Sequence, residues 1–509
     1  MKKILLFGAG KSATVLIDYL LVNSEKENWE VIVVDTDLKL AQSKIGSSES
    51  GKAISFDINE TTERNKYINE SDIVISLLPP VLHTIVAKSC IELNKNLLTA
   101  SYVDQEIRNL QSAIENKKLL FLCEMGLDPG IDHMSAMKII DTIHAEKGKV
   151  TSFKSHCGGL VAPESDNNPW HYKISWNPRN ILMAGKSGAH YREDGSEKHL
   201  LYKELFDADR LVDIPDLGLL SWYPNRDSLS YVPLYGLENA NTFVRTTLRH
   251  PDFMYGWKNV VDLNLTDETV QYETSGKSLL DFFKEHMDKN GFGDWVTKKL
   301  SERIDQSKQL LENLMKLVDA ENEAEEKGEV IEENFMVVDH KGALENTDLD
   351  DIKNKAATLV AQKMHEANLT LKQLFYLGMD DDETIIDKGF CSAADVMQMV
   401  LEKKLALKKD DKDMIVMLHE IEYETGSRKA EPDSYRVRSS LIVKGENNLH
   451  TAMAKTVGLP LGIAAKLILN GTIQLSGLHI PTKKEIYEPV LKELEDHGIK
   501  FNEEVKVLP

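Results

Sequence analysis

The sequence predicts an α/β chain: a parallel, doubly wound sheet first, then a mixed α/β domain, a mostly helical stretch and a return to strands. Three observations carry that prediction. Through residue 124 short apolar runs alternate with segments of helical length; residues 278–407 are mostly helical in pattern; and period-two alternation returns over 414–424 and 435–443.

The early strands are expected at 4–7, 31–35, 53–56, 72–78, 96–100 and 118–123. The first runs straight into Gly8-Ala-Gly10-Lys-Ser-Ala13, and the second ends on Asp35, about twenty residues further on, as a dinucleotide fingerprint requires. Gly8 permits the sharp exit from the strand, Gly10 lets a pyrophosphate approach the main chain, and small Ala13 lets the following helix pack closely. Free N–H groups at the helix start then face the phosphates. The expected architecture is therefore a Rossmann-type domain, which places ligands beyond the carboxyl ends of its strands: Gly8–Ala13, 35–37, 77–80, 101–102 and 126–130.

Further along, Asp128 precedes Pro129, and the pair reads as an N-cap and first helical residue ahead of an amphipathic run to about residue 146. Residues 150–255 carry many aromatics and turn clusters and are expected to form the mixed domain. Residues 320–355 are so charged that a solvated helix or a mobile excursion is expected. A helix over 451–470, apolar on most faces, is expected to be buried between domains.

Composition narrows the function. The chain has 509 residues, about three domains' worth. Its 82 acidic against 61 basic side chains give a net charge of −21, which argues against nucleic acid and anionic membrane as partners. Four cysteines, Cys90, Cys123, Cys157 and Cys391, lie far apart with no CxxC pair, so neither a disulfide framework nor a zinc cluster is indicated and a reducing cytoplasm is expected. His133, His156 and His171 are too loosely spaced for a metal, and none is expected. The apolar start ends at Gly8 and is needed as a strand, so no export signal is expected; the longest apolar run, 457–469, is broken by Pro460 and Lys466.

Several stretches together resemble one family: Ile75-Ser-Leu-Leu-Pro-Pro80, Thr99-Ala-Ser-Tyr-Val103, Gly126-Leu-Asp-Pro-Gly-Ile-Asp-His133, Cys157-Gly-Gly-Leu-Val-Ala-Pro-Glu164, Tyr172-Lys-Ile-Ser-Trp176, Tyr223-Pro-Asn-Arg-Asp-Ser228, Thr247-Leu-Arg249 and Thr451-Ala-Met-Ala-Lys-Thr-Val-Gly-Leu-Pro460. The chain resembles glutamate-forming saccharopine dehydrogenases over nearly its full length. The resemblance implies three domains: a dinucleotide domain at 1–125 with 451–475 packing back on it, a substrate and dimerisation domain at 126–277 and 408–509, and a helical insertion at 278–407. It implies an oxidoreductase of lysine metabolism, a homodimer acting on a small amino-acid substrate. Hydride moves between a nicotinamide cofactor and the imine that joins 2-aminoadipate 6-semialdehyde to glutamate.

A substrate with three carboxylates calls for guanidinium groups, which bind carboxylates through paired hydrogen bonds. Matching the motifs offers Arg226, Thr247, Leu248 and Arg249, with Ser101 and Tyr102 lining the same cleft. The bland reading of Arg226 and Arg249, a solvated surface arginine, is preferred for Arg245, which lies outside the matched triplet. Tyr102, Asp128 and Cys157 are the catalytic candidates: Asp128 to bind the substrate ammonium, Tyr102 and Cys157 to donate hydrogen bonds or pass a proton. The alternative for Cys157 is a small apolar filler. Besides Gly8, Gly10, Ala13 and Asp35, the resemblance assigns to the cofactor Lys11, Ser12, Thr36, Leu77, Leu78, Leu127, Asp128, Pro129 and Ser175. For Lys173 and Trp176 a salt bridge and core packing are the safer readings.

The cofactor is NAD or NADP. A carboxylate at Asp35 accepts hydrogen bonds from ribose hydroxyls but repels a 2′-phosphate, which tilts the expectation to NAD against the family's habit of NADP. Lys11 or Lys39 folding over a phosphate would reverse it. Two other readings compete. A polyamine-forming relative such as carboxynorspermidine dehydrogenase would want carboxylates where Arg226 and Arg249 stand, and a non-catalytic dinucleotide sensor gives no reason for the grouping of Asp128, Cys157 and Arg226.

Overall fold

The computed structural model describes residues 1–327, 334–338, 344–426 and 433–508. The chain divides into two compact units, one of Met1–Asn167, His171–Pro251 and Leu405–Pro509, the other of Asn168–Trp170 and Asp252–Lys404.

The first unit begins β1 (Lys2–Phe7), α1 (Thr14–Glu27), β2 (Trp29–Val34), α2 (Leu38–Ile45), β3 (Gly51–Ile54), α3 (Thr61–Glu70), β4 (Ile73–Ser76), α4 (Pro80–Glu92), β5 (Asn96–Thr99), α5 (Gln105–Asn109), α6 (Gln111–Asn116), β6 (Leu120–Leu122) and α7 (Ile131–Ala145). All six strands are parallel, in the order β6-β5-β4-β1-β2-β3, the doubly wound order expected of a dinucleotide domain. A seventh strand, Gly477–His479, joins beside β6; three residues long, it gave no periodic signal in the sequence. The inner strands carry continuous apolar runs, as at 4–7 and 31–34, because both faces are covered: Ile4 and Leu6 face one core, Leu5 and Phe7 the other.

Helix Ala452–Leu469 packs against α1. By length and composition it is apolar enough to cross a bilayer, but 67% of it is buried inside the protein. Close approach explains its glycines. A Cβ on Gly458 would lie 2.8 Å from the main-chain nitrogen of Leu16, and one on Gly462 would lie 2.5 Å from the ring of Tyr19. The helix start is doubly capped: Thr451 Oγ1 accepts from the N–H of Ala454, and Asp413 accepts from those of Ala452 and Met453 at 2.6 and 2.9 Å.

A second, mixed sheet of ten strands completes this unit. Its path runs Leu211–Ile214, Gly218–Pro224, Thr242–Arg249, β7 (Gly148–Val161), Asp413–Thr425, Asp433–Lys444 and Asn502–Val507. The hairpin Ala189–Glu193 with Ser196–Leu200, and the short strand Arg226–Asp227, attach off that path.

The other unit holds helices Leu279–Lys289, Trp295–Lys327, Leu349–Tyr376 and Ala393–Lys404, with the second and third packed side by side. Its main segment begins at Asp252, ahead of the 278 expected for the insertion. The charged excursion expected over 320–355 falls partly on 328–333 and 339–343, outside the described residues. Next to them the backbone pairs Asn334–Val338 with Leu344–Asp348.

Candidate active site

The glycine loop is built as its residues demand. Gly8 has φ +99°, a conformation L side chains rarely adopt, and a Cβ there would come within 2.9 Å of the Leu77 carbonyl at the end of β4. A Cβ on Gly10 meets nothing within 4 Å, so the main chain there is open to a ligand, as a pyrophosphate cradle needs. Lys11 is exposed, Ser12 and Thr36 lie near the surface, and Leu77 and Leu78 follow β4 beside Gly8. These residues fit a dinucleotide.

Asp35 does more than face the ribose side. Its Oδ2 accepts from the N–H of Ala9 at 2.7 Å and its Oδ1 from that of Asp37 at 3.0 Å, so the carboxylate ties the crest of β2 to the glycine loop.

The strongest local constellation lies past β6. The loop Gly126–Gly130 closes on itself, Gly126 N–H to the Pro129 carbonyl and Ile131 N–H to that of Gly126, both at 2.9 Å. A Cβ on Gly130 would sit 2.0 Å from the Gly126 oxygen. This closure delays α7 to Ile131, with Gly130 at its N-cap, so the expected N-cap at Asp128 and first helical turn at Pro129 are corrected. The carboxylate of Asp128 is released for other work. Its Oδ1 accepts from Tyr102 OH at 3.1 Å and from Arg245 Nη2 at 2.7 Å. Arg245 Nη2 also reaches Asp132 Oδ2 at 2.6 Å, and Asp132 Oδ1 accepts from Gly130 N–H. Arg245 is thus no surface arginine but a buried bridge between two carboxylates four residues apart, set against Tyr231 and Tyr102 at 4.4 and 5.8 Å from their ring centres.

A second layer fixes the first. Glu124, buried and with φ +58°, accepts from Val103 N–H at 3.0 Å, His133 Nε2 at 2.8 Å and Tyr231 OH at 3.1 Å, while His133 Nδ1 meets Tyr235 OH at 2.5 Å. These bonds pin the Ser101–Val103 turn against the start of α7. Electrostatics separate the two aspartates. Burial and the neighbouring Asp132 raise the Asp128 carboxyl above the usual range, whereas for Asp132 burial is outweighed by His133, Arg245 and the Gly130 N–H, which hold it below. Asp128 is therefore the carboxyl of the pair that more readily carries a proton.

The other candidates converge from the second sheet. Alternation along Thr242–Arg249 puts Arg245, Thr247 and Arg249 on one face, and Cys157 of β7 stands beside Thr247. Burial and the nearby Asp128 and Asp132 push the Cys157 thiol well above its usual range, so it stays protonated. Leu248 points to the opposite face and packs with Leu160 and Trp222; only its main chain, whose carbonyl accepts from Arg249 Nη1 at 2.7 Å, belongs with the arginines. Arg249 is buried with its guanidinium 5.3 Å from the Tyr172 ring centre, against the solvated alternative. Arg226 is exposed, adopts φ +51°, and sits 5.0 Å from the ring centre of Tyr102. Ser175 is buried and bonded to Asp413. Leu127 and Pro129 are buried within the closed loop. Lys173 forms a buried ion pair with Asp411 at 2.6 Å, and Trp176 Nε1 donates to Tyr172 OH.

Sequence reading missed Glu124, Asp132, Arg245 and His83. The two-residue period from Arg249 back through Thr247 would have found Arg245. His83 spans Ser76 Oγ at 2.9 Å and Ser101 Oγ at 2.8 Å, and so orients a substrate candidate. Burial lowers its pKa to about 4, and does the same to His419, which meets Ser135 Oγ at 2.7 Å. Both rings take up a proton on unfolding between pH 6.5 and 4, where the unfolded chain binds more protons and stability rises with pH. The stability they confer is complete above pH 6.5 and is lost as pH falls toward 4, at roughly 1.4 kcal/mol per pH unit for each ring. A urea midpoint that falls over this window, and falls less steeply in His83→Asn, is expected; a midpoint flat from pH 6.5 to 4.5 refutes the assignment.

Taken together, a dinucleotide cradle beside a buried acid, tyrosine and arginine cluster defines a nicotinamide-dependent oxidoreductase. Family models match along most of the chain: that of the saccharopine dehydrogenase NADP binding domain over residues 4–122 and that of the saccharopine dehydrogenase C-terminal domain over 126–499. The chain belongs to the saccharopine dehydrogenase family. It is 30% identical over 505 residues to the saccharopine dehydrogenase [NADP(+), L-glutamate-forming] of Schizosaccharomyces pombe, covering 99% of both chains. It is 34% identical over 492 residues to the alpha-aminoadipic semialdehyde synthase of Arabidopsis thaliana, of which it spans only 41%. The apo histidine-tagged L-Glu-forming saccharopine dehydrogenase of Saccharomyces cerevisiae superposes with a TM-score of 0.77 at 28% identity, covering 99% of this chain and all of that one. The tilt toward NAD is not supported: the matching nucleotide-domain model and the fungal relative are both described as NADP-binding or NADP(+)-dependent.

Proposed function

We propose that this protein interconverts saccharopine with L-glutamate and 2-aminoadipate 6-semialdehyde, using NADP(H). The observation that carries this reading is Arg226 set over Tyr102, which bonds Asp128, with Arg249 and Asp128 both close enough to Cys157 to act on its thiol, in a chain of net charge −21; this suits an amine flanked by carboxylates. Arginines at Arg226 and Arg249 disfavour a cationic polyamine product. The bound nicotinamide dinucleotide supplies or takes up the hydride. Arg226 and Arg249 hold carboxylates. Asp128 Oδ1 is committed to Tyr102 and Arg245, which leaves Oδ2 for the substrate nitrogen and its proton. In the glutamate-forming direction one water adds across the imine, and its protons pass to the departing amine. Steady cofactor reduction with saccharopine supports the reading, whereas a single stoichiometric shift supports a sensor instead.

NADP(H) is favoured because both oxygens of Asp35 already accept main-chain N–H groups, and Lys11 of the glycine loop and Lys39 of α2 are exposed. Initial rates are expected to favour NADPH over NADH; the reverse order restores the simple view of Asp35 as a ribose ligand. A homodimer in a reducing compartment completes the proposal, the latter in keeping with four buried free thiols. Light scattering reads the former.

Cys157 tests how the proton is handled. Because the thiol stays protonated, it serves as a hydrogen-bond donor, which serine also supplies. Cys157→Ser is expected to keep turnover within about tenfold of the parent. Complete loss, with folding and cofactor binding intact, would show that the sulfur itself takes part.

A further inference from the structure

Away from the Asp128 cluster, two histidines face each other across the hairpin Ala189–Glu193 and Ser196–Leu200. His190 and His199 are register partners, and their rings stack at 3.8 Å between centres and 15° between planes. Glu197 comes from the same hairpin, its Oε2 3.2 Å from His190 Nε2. One ligand atom from each of the three lies within 4.8 Å of the others. On the other side of His190, Asp227 Oδ1 stands 3.5 Å from Nδ1. That carboxylate comes from the short strand Arg226–Asp227, paired with His190 through the register Asp227↔His190.

We propose that His190, His199 and Glu197 form a binding site for a divalent transition-metal ion of the zinc class, with Asp227 orienting His190. The donor set is two imidazoles and one carboxylate, which zinc takes when a water fills the fourth position. Tetrahedral bonds of about 2.0–2.1 Å put ligand atoms roughly 3.3 Å apart, so side-chain rotation of about an ångström closes the site without moving the strands. Without metal His190 Nε2 donates to Glu197; a metal would replace that proton and leave Nδ1–H directed at Asp227, a carboxylate placed to orient a ligating histidine. The ring nitrogens of His199 have no hydrogen-bond partner among the described residues, so binding costs them no existing bond. Among the described residues the cation that competes for Glu197 is Arg192, whose Nη2 is 3.9 Å from Oε1 while its Nη1 is held by the carbonyls of Glu238 and Ala240. Linear spacing hid this set: eight residues separate the two histidines, and only the two-residue hairpin turn at Asp194-Gly195 brings them face to face.

The site also borders the proposed substrate cleft. Asp227 follows Arg226 directly, and the Arg226 guanidinium lies over Tyr102.

The test is calorimetric titration of the metal-free full-length protein with zinc chloride, in parallel with His199→Ala and Asp227→Asn. The parent is expected to bind one more equivalent of zinc than His199→Ala, or to bind it at least about tenfold more tightly, with Asp227→Asn intermediate. His199 is exposed, so the variant is expected to fold and to turn over as the parent does. Equal stoichiometry and affinity in the parent and His199→Ala would overturn the site.

Discussion

Replacing Arg245 with leucine is expected to lower the stability of the first unit by roughly 3–5 kcal/mol, the range for removing one partner of a buried ion pair. The magnitude follows from what is left behind. Asp132 is buried and held ionised in part by that guanidinium, and Asp128 shares the same nitrogen at 2.7 Å. Without Arg245 two carboxylates would face each other beside Glu124, left with the Tyr102 hydroxyl, the Gly130 N–H and His133 as neighbours but no guanidinium between them. The change is read as a shift of the urea midpoint. Adding Asp132→Asn to Arg245→Leu should recover part of the loss, since it removes one of the stranded charges. A single-variant loss below about 1 kcal/mol would mean that water already reaches this cluster and screens it.

Arg226→Ala is expected to act on binding and leave the fold alone. Arg226 is exposed, and its contact within the protein is with the face of Tyr102, so its removal strands no buried group. A charge-assisted hydrogen bond to a carboxylate contributes about 1.5–3 kcal/mol, so KM for saccharopine should rise roughly 10- to 150-fold with the thermal midpoint unchanged. Lysine in its place keeps the charge without the planar fork and should fall between the two. An unaltered KM would leave Arg249 as the chief carboxylate anchor and take Arg226 out of the site.

The two residues show how unevenly the site could be read. Arg226 sits in a local motif, Tyr223-Pro-Asn-Arg-Asp-Ser228, and the sequence pointed to it directly. Arg245 lies only four residues before Arg249 yet reads in the sequence as a surface residue, because its partners Asp128 and Asp132 are more than a hundred positions away. The sequence marks Asp128 both as a catalytic candidate and as a helix cap; the closed Gly126–Gly130 loop moves the helix start and turns the carboxylate to Tyr102 and Arg245. The inner parallel strands are legible because they carry apolar runs such as 4–7, 31–34 and Leu120–Leu122, while Gly477–His479 has a single leucine between a glycine and a histidine.

By itself the sequence determined the order of strands and helices, the glycine cradle at Gly8 and Gly10, and which residue types carry the chemistry. These depend on local preferences: backbone freedom at a tight turn, apolar periodicity, and charge at the end of a strand. Only the tertiary structure decided which carboxyl of the pair has its pKa raised and which lowered, which arginine meets acids and which remains open, and that two hairpin histidines meet. Protonation and pairing depend on desolvation and on charges a few ångströms away, and those distances are set by how the two sheets and α7 pack rather than by neighbours in the chain.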